Sequence, residues 1–126
     1  MEQATQKVLY VEDNPLNMVL MRHIFKRNLP SLLLVEAGTG AEALELAAEH
    51  RPDLIILDIG LPDISGYEVL DKLRKSEEMR DIKVLAISAF ALADDIAKAQ
   101  GVGFAGYVTK PFQVKPFTEL VIRLLA

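Results

Sequence analysis

No cysteine occurs in the chain, which excludes disulfides and thiolate metal sites and is compatible with a reducing cytoplasm. Basic charge is also short: 14 Lys and Arg stand against 18 Asp and Glu, a formal net charge of −4 at pH 7. That balance argues against a general affinity for nucleic acid or anionic membrane surfaces. No apolar run approaches the roughly 20 residues a membrane span requires. The opening residues, Met1-Glu2-Gln3-Ala4-Thr5-Gln6, lack the pattern of a signal peptide. A cytoplasmic protein with no membrane insertion is therefore expected. Linkers, low-complexity tracts and charge runs are missing too, so residues 1–126 read as one domain, long enough to bury a full core. With 51% apolar and 25% charged residues, the composition is that of an ordinary soluble globular protein.

The chain is arranged around Asp53-Leu54-Ile55-Ile56-Leu57-Asp58. Four consecutive large apolar residues leave no polar face, so the stretch reads as a strand buried on both sides, as in parallel sheets covered by helices. It ends on a carboxylate, and Gly60, Pro62 and Gly66 then mark a loop. Ligands of open parallel sheets bind outside the carboxyl ends of the strands, which places Asp58 at the lip where chemistry occurs. A plain helix-capping aspartate is the bland alternative, but Ser65 is better placed to cap.

Four further strands follow the same logic. Lys7-Val8-Leu9-Tyr10-Val11 exits into Glu12-Asp13, and Leu32-Leu33-Leu34-Val35 reads as a second buried strand. Val84-Leu85-Ala86-Ile87 stops at Ser88, and Ala105-Gly106-Tyr107-Val108 is a weaker fifth strand before Thr109-Lys110-Pro111. Between them lie helices. Asn14-Pro15 supplies a cap and a first-turn proline, with Met18, Met21, Ile24 and Phe25 at helical spacing. Thr39-Gly40-Ala41-Glu42 and Ser65-Gly66-Tyr67-Glu68 have the form of capping boxes. They open one helix running to about residue 50 and another with Val69, Leu70 and Leu73 on one face. A polar, alanine-rich helix is expected over roughly 91–100, and a last helix with Phe117, Leu120, Val121 and Leu124 inward. Five strand–helix repeats with right-handed crossovers predict a doubly wound (βα)5 three-layer α/β sandwich. The chain is too short for a (β/α)8 barrel, which needs about 250 residues.

That topology gathers Glu12, Asp13, Asp58, Ser88 and Lys110 at one sheet edge. Two carboxylates about 5 Å apart repel by roughly 3 kcal/mol at an effective dielectric near 20, so three acids and one lysine call for another cation. Oxygen ligands in a small site suit Mg²⁺ better than a transition metal. Neither His23 nor His50 has a partner at ligand spacing.

These residues, Glu12-Asp13, Asp58, Ser88-Ala89 and Lys110-Pro111, with Tyr107 three before the lysine, resemble the receiver domain of two-component response regulators. The likeness runs from Lys7 to Leu124. It implies the CheY-like, flavodoxin-like strand order 2-1-3-4-5, which is carried over from the family rather than read from the residues. It also implies that Asp58 is the phosphoryl acceptor and that Asp13, Asp58 and the Gly60 backbone carbonyl hold Mg²⁺, with Glu12 acting through water. Lys110 and the Ser88 hydroxyl would contact phosphoryl oxygens. Tyr107 would turn inward as Ser88 moves, repacking the fourth helix, fifth strand and fifth helix for partner binding. Lys110-Pro111 would be a cis peptide. The phosphodonor would be a histidine kinase or a histidine phosphotransfer protein, and the downstream protein is not named by the residues. Such a protein catalyses only its own phosphorylation and dephosphorylation and is not otherwise an enzyme. Asn14 and Asn17 look like those of phosphorelay and hybrid-kinase receivers. Met1 reads as a natural start, and a chain ending on its fifth helix is expected to be a single-domain regulator or the receiver part of a longer protein.

Departures and rivals bear on this reading. Serine stands at position 88 where the family often has threonine. Gly60 offers an attacking water no side chain, and Phe90 could shield the phosphoryl group, so both bear on its lifetime. Gly101-Val102-Gly103-Phe104-Ala105-Gly106 matches a dinucleotide fingerprint but follows a helix and precedes a strand, the reverse of what binding needs. A flavodoxin would need a phosphate-cradling loop where Glu12-Asp13 would repel one. Two alternatives remain: a phosphorylation-independent receiver-like adaptor, and an Mg²⁺-dependent aspartyl-phosphate phosphohydrolase. The latter would want an acid at position 60 and a cap domain.

Overall fold

Residues 5–89, 97–98 and 101–126 are described by a computed structural model. Five strands, β1 (Lys7–Val11), β2 (Leu33–Ala37), β3 (Leu54–Asp58), β4 (Lys83–Ser88) and β5 (Gly106–Thr109), form one sheet of order β2-β1-β3-β4-β5. Every pairing is parallel. The described helices are α1 (Pro15–Asn28), α2 (Gly40–His50), α3 (Gly66–Lys75) and α4 (Val114–Leu125). The helix expected over 91–100 lies outside the described residues except for Ala97 and Lys98, which are helical. Phe90 also lies outside them.

The two faces of the sheet follow from the period-two alternation of side chains along each strand. Val8, Tyr10, Leu54, Ile56, Leu85 and Ile87 pack with α1 and α4 residues such as Met21, Phe25, Phe117 and Val121. Leu9, Val11, Ile55, Leu57, Val84 and Ala86 face Ala43, Ala47, Val69, Leu70 and Leu73 of α2 and α3. β3 is buried at all five positions because it has a strand on either side and helices on both faces. Truncating a core residue such as Leu57 to alanine would cost about 2–5 kcal/mol.

Helix starts obey the expected local chemistry. Asn14 Oδ1 accepts from the backbone N–H groups of Leu16 and Asn17 at 2.8 and 3.3 Å. Thr39 Oγ1 and Ser65 Oγ each accept from the N–H three residues on, at 3.1 and 3.2 Å. The first box departs from the standard reciprocal form: Glu42 Oε1 takes the Gly38 N–H at 2.8 Å rather than that of its cap residue. β2 differs more. It begins one residue later than expected and is only half-buried, with Leu33 47% exposed. It is an edge strand, open on one side, and its apolar run looks from the sequence like that of a central one.

The fingerprint-like glycines end a helix and enter β5. Gly103 takes φ +103°, a left-handed conformation that glycine adopts without steric cost. The Lys110–Pro111 peptide is cis.

Candidate functional site

Four of the five strands, β1, β3, β4 and β5, deliver a site residue at the point where sheet pairing ends. β1 is buried from Val8 to Val11, and Glu12 follows with its N–H donating to Ala37 O of the neighbouring strand at 3.0 Å. That bond keeps Glu12 against the sheet, 3% exposed, while Asp13 turns outward into the helix start at Asn14-Pro15. Asp58 is the last residue of β3, paired with Ile87, and is 8% exposed. Ser88, buried, ends β4 opposite Thr109. The chain then leaves β5 at Lys110, whose N–H donates to Ser88 O at 2.7 Å.

Lys110 binds the acids together. Its Nζ donates to Glu12 Oε1 and to Asp58 Oδ2, both at 2.7 Å. The other Asp58 oxygen, Oδ1, accepts from the Gly60 N–H at 2.9 Å. Glu12 is held at two further points: Tyr10 Oη donates to Oε1 at 3.0 Å and the Asn14 N–H to Oε2 at 3.3 Å. Glu12, Asp13 and Asp58 each present one carboxylate oxygen within 4.8 Å of the others. The expected residues thus come together at the carboxyl edge. Tyr107, half-buried on β5, packs with the α2–α3 side of the core.

The two carboxylates on the one ammonium are not equivalent. Burial is the largest influence on Asp58 and raises its carboxyl above the ordinary range, with help from the Glu12 charge; Lys110 and the Gly60 N–H offset this only in part. Burial pushes Glu12 the same way, but the Lys110 hydrogen bond and charge, the Asn14 N–H and the Tyr10 hydroxyl outweigh it and hold Glu12 below its usual value. Burial would lower Lys110, yet its bonds to Asp58 and Glu12 raise it, so it remains an ammonium. Asp58 is therefore the costlier of the two to keep ionised.

Tyr10 was not legible as a site residue. It reads as one apolar position in a strand, although two signals exist: a buried tyrosine needs a partner for its hydroxyl, and residue 12 falls on the same strand face as residue 10. The donor set suits a hard divalent cation. It offers only oxygens, from three acids of which Lys110 bonds two, leaving the exposed Asp13 carboxylate beside them. Beside this lip runs an apolar groove of about 570 Å³, lined by Tyr10, Leu20, Met21, Ile24, Phe112 and Val114 and reaching Lys110.

Comparison with known proteins agrees with this geometry. The family model of the response regulator receiver domain matches residues 8–122. The polar-differentiation response regulator DivK of Brucella ovis is 42% identical over 117 residues, 93% of this chain and 94% of that protein. The receiver domain of a sensor histidine kinase from Pseudomonas aeruginosa PAO1, solved with a magnesium ion coordinated in its active site cleft, superposes with a TM-score of 0.85. It is 28% identical, and the match covers 97% of this chain and 98% of that one. A Vibrio cholerae chemotaxis response regulator shares the fold at a TM-score of 0.86 and 24% identity, over 96% of this chain and 99% of its own. With the acid lip, the bridging lysine and the strand order in place, the chain belongs to the response regulator receiver domain family of two-component signalling.

Proposed function

We propose that this receiver accepts a phosphoryl group on Asp58 from a histidine kinase or histidine phosphotransfer protein in an Mg²⁺-dependent reaction, and signals by reshaping the surface around β5. The observation that carries the reading is Lys110 Nζ seated 2.7 Å from both Asp58 and Glu12, with Asp13 beside them. Burial and the charge of Glu12 make Asp58 costly to ionise, and the neighbouring Asp13 carboxylate adds further repulsion. That favours a phosphoacceptor over a phosphorylation-independent adaptor.

In the transfer, an Asp58 carboxylate oxygen attacks phosphorus in line; the P–N bond of the donor phosphohistidine breaks, and its electron pair leaves on the imidazole. The Gly60 N–H holds Oδ1, so the nucleophile is oriented before the partner arrives. Lys110, already on Oδ2, follows the charge onto the phosphoryl oxygens. Bound by Asp13, Asp58 and the Gly60 carbonyl, with Glu12 acting through water, Mg²⁺ would neutralise charge on those oxygens. The buried Ser88 hydroxyl moves to the phosphoryl group, and Tyr107 follows on β5. The protein acts on itself rather than on a free substrate, and Gly60 supplies no acid for a phosphohydrolase. Leu16, Val19 and Leu20 are exposed on α1 beside the lip, Leu16 by 78%, and suit an apolar helix face of the phosphodonor.

The test is incubation with acetyl phosphate and Mg²⁺, read by intact mass. One phosphoryl group is expected on the wild type and none on Asp58→Asn. Labelling that persists in the Asn variant, or without a divalent cation, would exclude the reading.

A further inference from the structure

The proposed ligand set includes one backbone atom, the Gly60 carbonyl. A backbone ligand cannot be aimed by its own rotamer; it points wherever its loop is held. The loop from 59 to 65 is held at both ends. Near β3, the Ile59 N–H donates to Ile87 O at 3.1 Å and the Gly66 N–H to Ile59 O at 3.0 Å. At the far side, the Asp63 carboxylate spans the start of α2: Oδ1 accepts from the Gly40 N–H at 2.8 Å and Oδ2 from the Ala41 N–H at 3.0 Å. Ile64 lies over the same turn so closely that a Cβ on Gly40 would overlap Ile64 Cγ1 and stand 2.9 Å from its Cδ1.

The anchor itself is tied to the other half of the site. Just before α2, Glu42 Oε1 takes the Gly38 N–H at 2.8 Å, and Ala37 O takes the Glu12 N–H at 3.0 Å. The start of α2 therefore joins the β1 exit, which carries Glu12 and Asp13, to the loop that carries Gly60. Asp63 is the side chain that closes this frame. It is exposed, and its main bonds go to Gly40 and Ala41 of α2, with weaker ones to the backbone of Asp63 and Ile64 in its own loop.

We propose that Asp63 is a positioning residue for the cation site: by clamping loop 59–65 to the first turn of α2, it sets where the Gly60 carbonyl stands relative to Asp13 and Asp58. This rests on the receiver reading above. Groups that orient metal ligands from outside typically change metal affinity by about 10–100-fold when removed, and an exposed clamp belongs at the low end of that range.

The experiment is calorimetric titration of the full chain with Mg²⁺. Asp63→Ala is expected to bind about tenfold more weakly, and Asp63→Asn, which keeps one acceptor oxygen, to fall between it and the wild type. Thr39→Ala is the control: it removes a cap from the same helix, Thr39 Oγ1 to the Glu42 N–H at 3.1 Å, without releasing the loop. It should keep wild-type affinity. Two further readouts separate aim from general damage. The Gly60 amide should exchange hydrogen faster in Asp63→Ala, and its phosphorylation by acetyl phosphate should need more Mg²⁺ yet reach a near-wild-type rate at saturation. Unchanged Mg²⁺ affinity in both Asp63 variants overturns the proposal, as does an equal loss in Thr39→Ala, which would make it an effect of helix stability. A wild type that binds no Mg²⁺ overturns the cation reading itself, and this inference with it.

Discussion

Lys110 Nζ and Asp58 Oδ2 are 2.7 Å apart, and the same ammonium is equally close to Glu12 Oε1. One cation from the end of β5 thus neutralises carboxylates from two other strands. Removing one partner of a buried pair leaves the other charge uncompensated, at about 3–5 kcal/mol when burial is complete. The Lys110 side chain is 21% exposed, so Lys110→Ala should lose about 2 kcal/mol in urea denaturation without metal. Added Mg²⁺ should restore part of that loss. An apo variant as stable as the wild type would show that the ion pair holds nothing together.

Asp13 has the opposite sign. Its carboxylate lies among those of Glu12 and Asp58, and in the absence of metal its charge only repels them. Asp13→Ala should therefore raise the apo melting temperature by a few degrees and abolish the stabilising response to Mg²⁺. Lower apo stability would make Asp13 a structural residue instead.

Tyr10 gives a pH signature. Burial first, then the charge and hydrogen bond of Glu12 and the charge of Asp58, push its phenol well above the ordinary value of 10.0. A raised folded pKa gives stability that is complete below the unfolded value and lost as pH climbs beyond it. Lys110, also raised from 10.5, acts in the same direction. Stability should fall above about pH 10, and one of the three tyrosines should show tyrosinate absorbance only on unfolding. Tyr10→Phe should remove that delayed step and cost about 1.5–3 kcal/mol at neutral pH, as for a hydrogen bond to a charged group. All three tyrosines ionising together in the folded protein would contradict it.

Ser88 should separate chemistry from switching. Its backbone carbonyl is bound by the Lys110 N–H, which joins the exits of β4 and β5, while its hydroxyl is proposed to meet the phosphoryl group. Ser88→Ala keeps that backbone bond and all three acids, so it should still accept phosphate on Asp58. Amide hydrogen exchange over 106–126, with and without beryllium fluoride, should change in the wild type and much less in the variant. Equal responses would remove the hydroxyl from the coupling.

Much of this was local enough to read along the chain. The burial of β3 shows in four consecutive apolar residues, the α1 cap in Asn14-Pro15, and the inward faces of α1 and α3 in their spacing, because each depends on neighbours within a turn or a strand. The acids and Lys110 were legible as strand exits, since parallel strands put all their carboxyl ends on one side. The half-burial of β2 is not legible in its sequence, because an edge strand and a central strand can carry the same apolar run. Which one it is depends on whether another strand lies alongside.

The remainder depends on contacts distant in sequence. Lys110 meets Glu12 across 98 residues and Asp58 across 52, and Asp63 reaches Gly40 across 23. Residue types can nominate Glu12, Asp58 and Lys110, but not say that a single ammonium is shared between the two acids, nor that burial leaves Asp58 the harder one to ionise. Those are consequences of distance and solvent exclusion. Both arise only when β1, β3 and β5 are laid in one sheet and closed over by the helices.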